Sequence, residues 1–138
     1  MNIRVMKLKS MNLKKVVKDI VKLDTKKRIK FIFLFGSVAA KKNTPLSDID
    51  IAIYYHASAA ERYKFKFKAA SMLSSSIDVK IFQDLPILLQ KEVIAGKLVY
   101  CADYDTMYDS CFAVIKEFNR FEKYYEEYMS ALRKEAEV

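Results

Sequence analysis

The period of the apolar residues changes several times along this chain, and each change marks an element. Leu13, Val16, Val17, Ile20 and Val21 recur at helical spacing among Lys14, Lys15, Lys18 and Lys22. That spacing predicts an amphipathic helix from residue 10 to about Asp24. Residues 1–9 alternate loosely at Ile3, Val5 and Leu8 and define no element. Residues 31–35 are apolar throughout, as a strand buried on both faces would be. Residues 38–42 then predict a short helix stopped by Asn43, Thr44 and Pro45. Ile49, Ile51 and Ile53 alternate with Asp48, Asp50 and Ala52, so a second strand packs isoleucines on one side and presents carboxylates on the other.

Residues 58–74 fit two periods. Tyr63, Phe65 and Phe67 alternate with Lys64, Lys66 and Lys68 like a strand, whereas Ala59, Tyr63, Phe67 and Ala70 share a helix face. The Ala, Met and Leu content decides for helix. Residues 77–82 form a third strand, with Ile77, Val79 and Ile81 on one side and Asp78, Lys80 and Phe82 on the other. Pro86 opens a helix, and Gly96 precedes a short strand at 98–101. From about 103 to 134 the 4-3 spacing of Tyr104, Tyr108, Cys111, Ile115 and Phe118 predicts one long helix, with a second apolar stripe at Phe112, Phe121, Tyr124 and Tyr128. One stripe covers the sheet; the other is either core or a surface for a partner, a second copy or another chain.

These elements predict an α/β (α+β) protein in which a small mixed sheet is flanked by helices. Its 138 residues suit a single domain, 1–138, with a core at about 12–101. At 52% hydrophobic residues the chain can fill a core, and its two Gly and two Pro leave little for long loops. The longest apolar run, near residues 31–40, is too short for a membrane helix, and the N-terminus has no signal-peptide pattern, so a soluble cytoplasmic protein is expected. Cys101 and Cys111 match no zinc spacing and read as reduced, partly buried thiols. The net charge of +8 is local: residues 1–30 carry 11 Lys/Arg against 2 Asp/Glu. That segment is either a solvated helix face or an attractor of nucleic acid or an acidic partner.

Candidate chemistry gathers where the first two strands meet. Gly36 and Ser37 precede Asp48 and Asp50 in a G-S-x10-D-x-D pattern. A glycine lets a phosphate approach the backbone, and a serine that begins a helix adds a hydroxyl and free N–H groups for an anion. Carboxylates at i and i+2 of a strand share a face and suit a hard divalent cation such as Mg2+. An EF-hand loop counted from Asp48 would need Gly and Glu where Ile53 and Ala59 stand, which excludes that calcium site. If the third strand pairs beside the second, Asp78 joins the carboxylates; the other reading of Asp78 is an ion pair with Lys80 or Lys64.

This pattern, flanked by apolar strands and followed by Asp78, Pro86 and Gly96, resembles the nucleotidyltransferase superfamily that includes DNA polymerase beta. It is most similar to the minimal nucleotidyltransferases (MNT), which pair as antitoxins with HEPN toxins. The resemblance runs from about residue 12 to 101 and implies a nucleotidyltransferase fold. It also implies transfer of AMP from ATP to a tyrosine hydroxyl of a HEPN-type toxin. Asp48, Asp50 and Asp78 would hold two Mg2+ ions, with Asp78 also as base, and Gly36 and Ser37 would seat the phosphates. The family's small-Arg-Gly segment after the serine is absent, since the chain reads Val38-Ala39-Ala40-Lys41-Lys42, so Lys41 or Lys42 would supply the charge. The alternatives are an antitoxin that neutralises by binding alone, and a basic nucleic-acid-binding regulator acting through residues 1–30.

Overall fold

The computed structural model describes residues 2–36 and 49–137, with side chains from residue 13 onward. Eight principal elements follow in order: α1 (Asn2–Leu23), β1 (Ile29–Phe35), β2 (Ile49–Tyr55), α2 (Ala59–Met72), β3 (Ile77–Ile81), α3 (Ile87–Ile94), β4 (Lys97–Cys101) and α4 (Tyr104–Ala136). The expected helix at 38–42 lies outside the described residues. The sheet order is β3-β2-β1-β4; β1 is antiparallel to both β2 and β4, and β2 is parallel to β3. This is the small mixed sheet the alternation patterns predict.

α1 begins at Asn2, so residues 2–9 are not the undefined stretch their alternation suggests. Ile3 and Val5 are β-branched and two apart, which imitates a strand, but the chain continues the helix. α1 ends at Leu23, and the buried Asp24 carboxylate accepts N–H bonds from Arg28 (3.0 Å) and Ile29 (2.9 Å). These bonds satisfy backbone donors in the reversal into β1.

Each face of the sheet carries its own core. On the first, Ile32, Leu34, Ile49, Ile51, Ile53, Val79 and Ile81 pack beneath Val16 and Ile20 of α1 and Phe65 and Ala69 of α2. On the second, Phe31, Phe33, Phe35, Ala52 and Phe82 pack against Val93 of α3 and Met107 and Val114 of α4. Phe31 meets Phe33 and Phe82 edge-on, with ring centroids 5.6 and 5.3 Å apart.

α2 is a helix as its content predicts, capped by Ser58 Oγ, which accepts from Glu61 N at 3.3 Å. Its buried face is not the predicted one. Phe65 stacks on Tyr55 at 4.2 Å and Ala69 is fully buried, while Tyr63 and Phe67 stand 69% and 68% exposed. Phe65 is two residues from each of them, about 160° around the helix, so burying Phe65 turns both outward.

Gly96 enters β4 where a Cβ would lie 2.2 Å from the Leu34 carbonyl oxygen. Asp103 then caps α4, its Oδ1 accepting from Thr106 N (3.1 Å) and its Oδ2 from Thr106 Oγ1 (2.9 Å). α4 buries Met107 and Val114 rather than the predicted Tyr104 and Tyr108, which are exposed. The 4-3 spacing identifies the helix but not its inward face.

Candidate active site

The pairing register sets the geometry of the site. Along the parallel β2–β3 pair the rungs are Ile49–Ile77, Asp50–Asp78, Ile51–Val79, Ala52–Lys80 and Ile53–Ile81. Because strand side chains alternate, the three apolar rungs fill the first core while Asp50, Asp78 and Lys80 project on the second face. Adjacent strands lie about 4.8 Å apart, so the two carboxylates are neighbours. Asp78 therefore does join Asp50, on the same side of the sheet.

Gly36 completes this corner. Phe35 pairs with Asp50, which brings the end of β1 beside that carboxylate. Gly36 has φ +79°, and a Cβ there would lie 2.4 Å from Asp50 Oδ2. Its left-handed backbone favours glycine, and a Cβ there would push the Asp50 carboxylate aside. Sequence spacing gives no sign of this proximity, which depends on the register of β1 with β2.

Asp78 is half-exposed, and Lys80 Nζ stands 3.3 Å from its Oδ2. The ion pair and the approach to Asp50 are thus both present. The i, i+2 alternation that aligns Asp78 with the site also aligns Lys80, and any cation at Asp78 must compete with that ammonium. Ser37, Lys41, Lys42 and Asp48 lie outside the described residues. Among the described residues no three acidic, His or Cys side chains gather around one point; Asp50 and Asp78 bring two carboxylates together.

The thiols take no part in this corner. Cys101 and Cys111 are free and belong to the second core, where burial pushes both thiols above their ordinary range. At neutral pH they are protonated and poorly nucleophilic. Among the described residues, no helix is long and apolar enough to cross a membrane.

Comparison with known proteins bears on the whole arrangement. The polymerase beta nucleotidyltransferase family model matches residues 15–105, from α1 to the first turn of α4. No curated protein matches the chain. Among solved structures, a chain of a toxin–antitoxin complex with AMP-PNP has TM-score 0.66 at 20% identity, covering 86% of this chain and 96% of that one. A chain of the MntA-HepT toxin–antitoxin has TM-score 0.62 at 21% identity, covering 89% and 97%. A chain from the complex of a tri-AMPylated Shewanella oneidensis HEPN toxin with its MNT antitoxin has TM-score 0.59 at 19% identity, covering 92% and 98%. At such identities these likenesses speak for the fold. Together with the family match across the sheet that carries Gly36, Asp50 and Asp78, they place this chain in the polymerase beta nucleotidyltransferase family.

Proposed function

We propose that this chain transfers AMP from ATP to a hydroxyl of a HEPN-type toxin, a tyrosine by the family resemblance, and thereby acts as its cytoplasmic antitoxin. The observation that carries the reading is the Asp50–Asp78 rung beside the Gly36 turn. Carboxylate oxygens from two adjacent strands fit Mg2+, which takes few protein ligands and keeps its other positions for water and phosphate. Asp48, Asp50 and Asp78 would hold two such ions. When bound, Mg2+ offsets the charge on the triphosphate during in-line displacement.

The chain's own residues would do the rest. Gly36 and the Ser37 hydroxyl and N–H would seat the β- and γ-phosphates, and Lys41 or Lys42 would add the positive charge the family draws from arginine. Asp78 would accept the proton as the acceptor oxygen attacks the α-phosphorus. A new O–P bond forms, the bond from the α-phosphorus to the bridging oxygen breaks, and pyrophosphate leaves. Lys80 would have to swing from Asp78 before that carboxylate could serve as ligand or base.

α4 supports a macromolecular acceptor. Lys91 Nζ of α3 lies 5.5 Å from the ring centroid of Phe118 on α4. Beyond it Phe121, Tyr124, Tyr125, Tyr128 and Leu132 are exposed along the helix. A HEPN toxin seated there would be held close to the domain that modifies it. The test is incubation of the chain and the toxin with Mg2+ and ATP labelled at the α-phosphate. Label should pass to the toxin; label that stays in nucleotide would overturn the reading.

The exposed α4 aromatics also favour a second reading, neutralisation by binding alone. Asp48→Asn with Asp50→Asn separates the two: loss of neutralisation requires catalysis, and full neutralisation requires only contact.

A further inference from the structure

The net charge is divided between the two helical layers. Residues 13–28 and 59–73, which form the part of α1 whose side chains are described, its turn and α2, contain 11 Lys/Arg and 3 Asp/Glu. Residues 84–137, which include α3 and α4, contain 7 Lys/Arg and 11 Asp/Glu. The basicity of the N-terminal segment is thus extended by α2, which the fold sets beside α1 on the first face of the sheet. Of the three acids in this layer, Asp24 is bound by backbone N–H groups and Glu61 by Arg28.

Lys26, Arg28, Lys64 and Lys68 border a cleft of about 180 Å³ between the end of α1 and α2. One residue before Lys64 and Lys68, about 100° around the helix, come Tyr63 and Phe67. These two aromatic rings, a turn apart, are 69% and 68% exposed. While Phe65 and Ala69 are buried on its inner side, α2 thus presents two of its three aromatic rings together to water, beside the lysines. Lysines to follow a phosphate backbone, next to aromatic rings on which bases can stack, are the equipment of a single-strand binder. Rings on a convex helix reach base faces only where the bases are unpaired.

We propose that the α1–α2 face binds single-stranded nucleic acid, with Lys26, Lys64 and Lys68 on phosphates and Tyr63 and Phe67 stacked on bases. The site lies on the opposite face of the sheet from Asp50 and Asp78 and does not depend on the transferase reading.

The test is fluorescence anisotropy of the full chain with a labelled 20-mer of uridines and, separately, a labelled 20-base-pair DNA duplex, between 50 and 300 mM KCl (about the range in which phosphate binding is screened). The 20-mer should bind more tightly than the duplex. Lys26→Gln/Lys64→Gln/Lys68→Gln should weaken it at least about tenfold at low salt and flatten the log K against log salt slope by about two, near 0.7 for each phosphate no longer neutralised. Tyr63→Ala/Phe67→Ala should weaken the 20-mer at least about fivefold with the slope unchanged. Lys116→Gln/Lys123→Gln, on α4, should change neither. Circular dichroism melting of each variant confirms that these exposed substitutions leave the fold intact. No binding of the 20-mer at 50 mM KCl would overturn the proposal. So would a preference for duplex, binding insensitive to either α1–α2 variant, or an equal loss in the α4 control.

Discussion

The two faces of the sheet use the same strands for different ends. Ile49, Ile51, Ile53, Val79 and Ile81 make the first face an aliphatic floor, sealed by helices whose outer surface is basic. One residue along, the second face begins with Asp50, Asp78 and Lys80 before it becomes the aromatic core around Phe31 and Phe82. A strand with period two can therefore carry stability on odd positions and chemistry on even ones. Asp78, half-exposed at the open end of the second face and paired with Lys80, keeps access to water and cations and so escapes the cost of burial deeper in the core.

Neighbouring residues give the sharpest way to break this comparison. Ile51→Ala, on the sealed face, should cost about 2–5 kcal/mol of stability, read by denaturant unfolding. Asp50→Asn should lower AMP transfer at least about a hundredfold, out of proportion to any change in the unfolding midpoint. A large loss of stability with little loss of transfer would make the acidic rung structural. Gly36→Ala comes next. It should cost about 1–2 kcal/mol from the positive φ alone, and it should depress transfer because the added Cβ displaces Asp50. Normal transfer by this variant would separate the glycine from the site.

Lys80→Gln should raise Mg2+ affinity severalfold in isothermal titration, because the ammonium 3.3 Å from Asp78 no longer competes for it. Unchanged affinity would remove Asp78 from the metal site. The smallest effect concerns the cap of α4, which covers the second face. Hydrogen bonds from the Thr106 backbone and hydroxyl hold the Asp103 carboxyl below its usual range. A carboxyl with a folded pKa below its unfolded one stabilises the fold fully above the ordinary value, about 4, and loses that contribution as pH falls through the folded pKa. Melting temperature should therefore drop across that acid range, and Asp103→Asn, still a good cap, should flatten the drop.

Much of this was readable from residue order. β1 was legible because residues 31–35 are apolar on both sides, and β2 and β3 because isoleucine and valine alternate there with Asp and Lys. The acidic rung followed from that alternation once β3 was assumed to lie beside β2. What escaped was whatever depends on rotation or register. Tyr63 and Phe67 look like a core stripe in sequence, and only the stacking of Phe65 on Tyr55 turns them outward. Tyr104 and Tyr108 begin the regular stripe of α4, yet Met107 and Val114 meet the sheet, because helical periodicity fixes spacing and leaves the phase to packing. The contact between Gly36 and Asp50 joins positions far apart in sequence, and the strand register alone reveals it.

The most direct measurement is the intact mass of the HEPN toxin after incubation with this chain, ATP and Mg2+, alongside the Asp50→Asn variant. The toxin should gain one or more AMP units with the native chain and none with the variant. A toxin whose mass stays unchanged with each of the four nucleoside triphosphates would contradict the transferase reading.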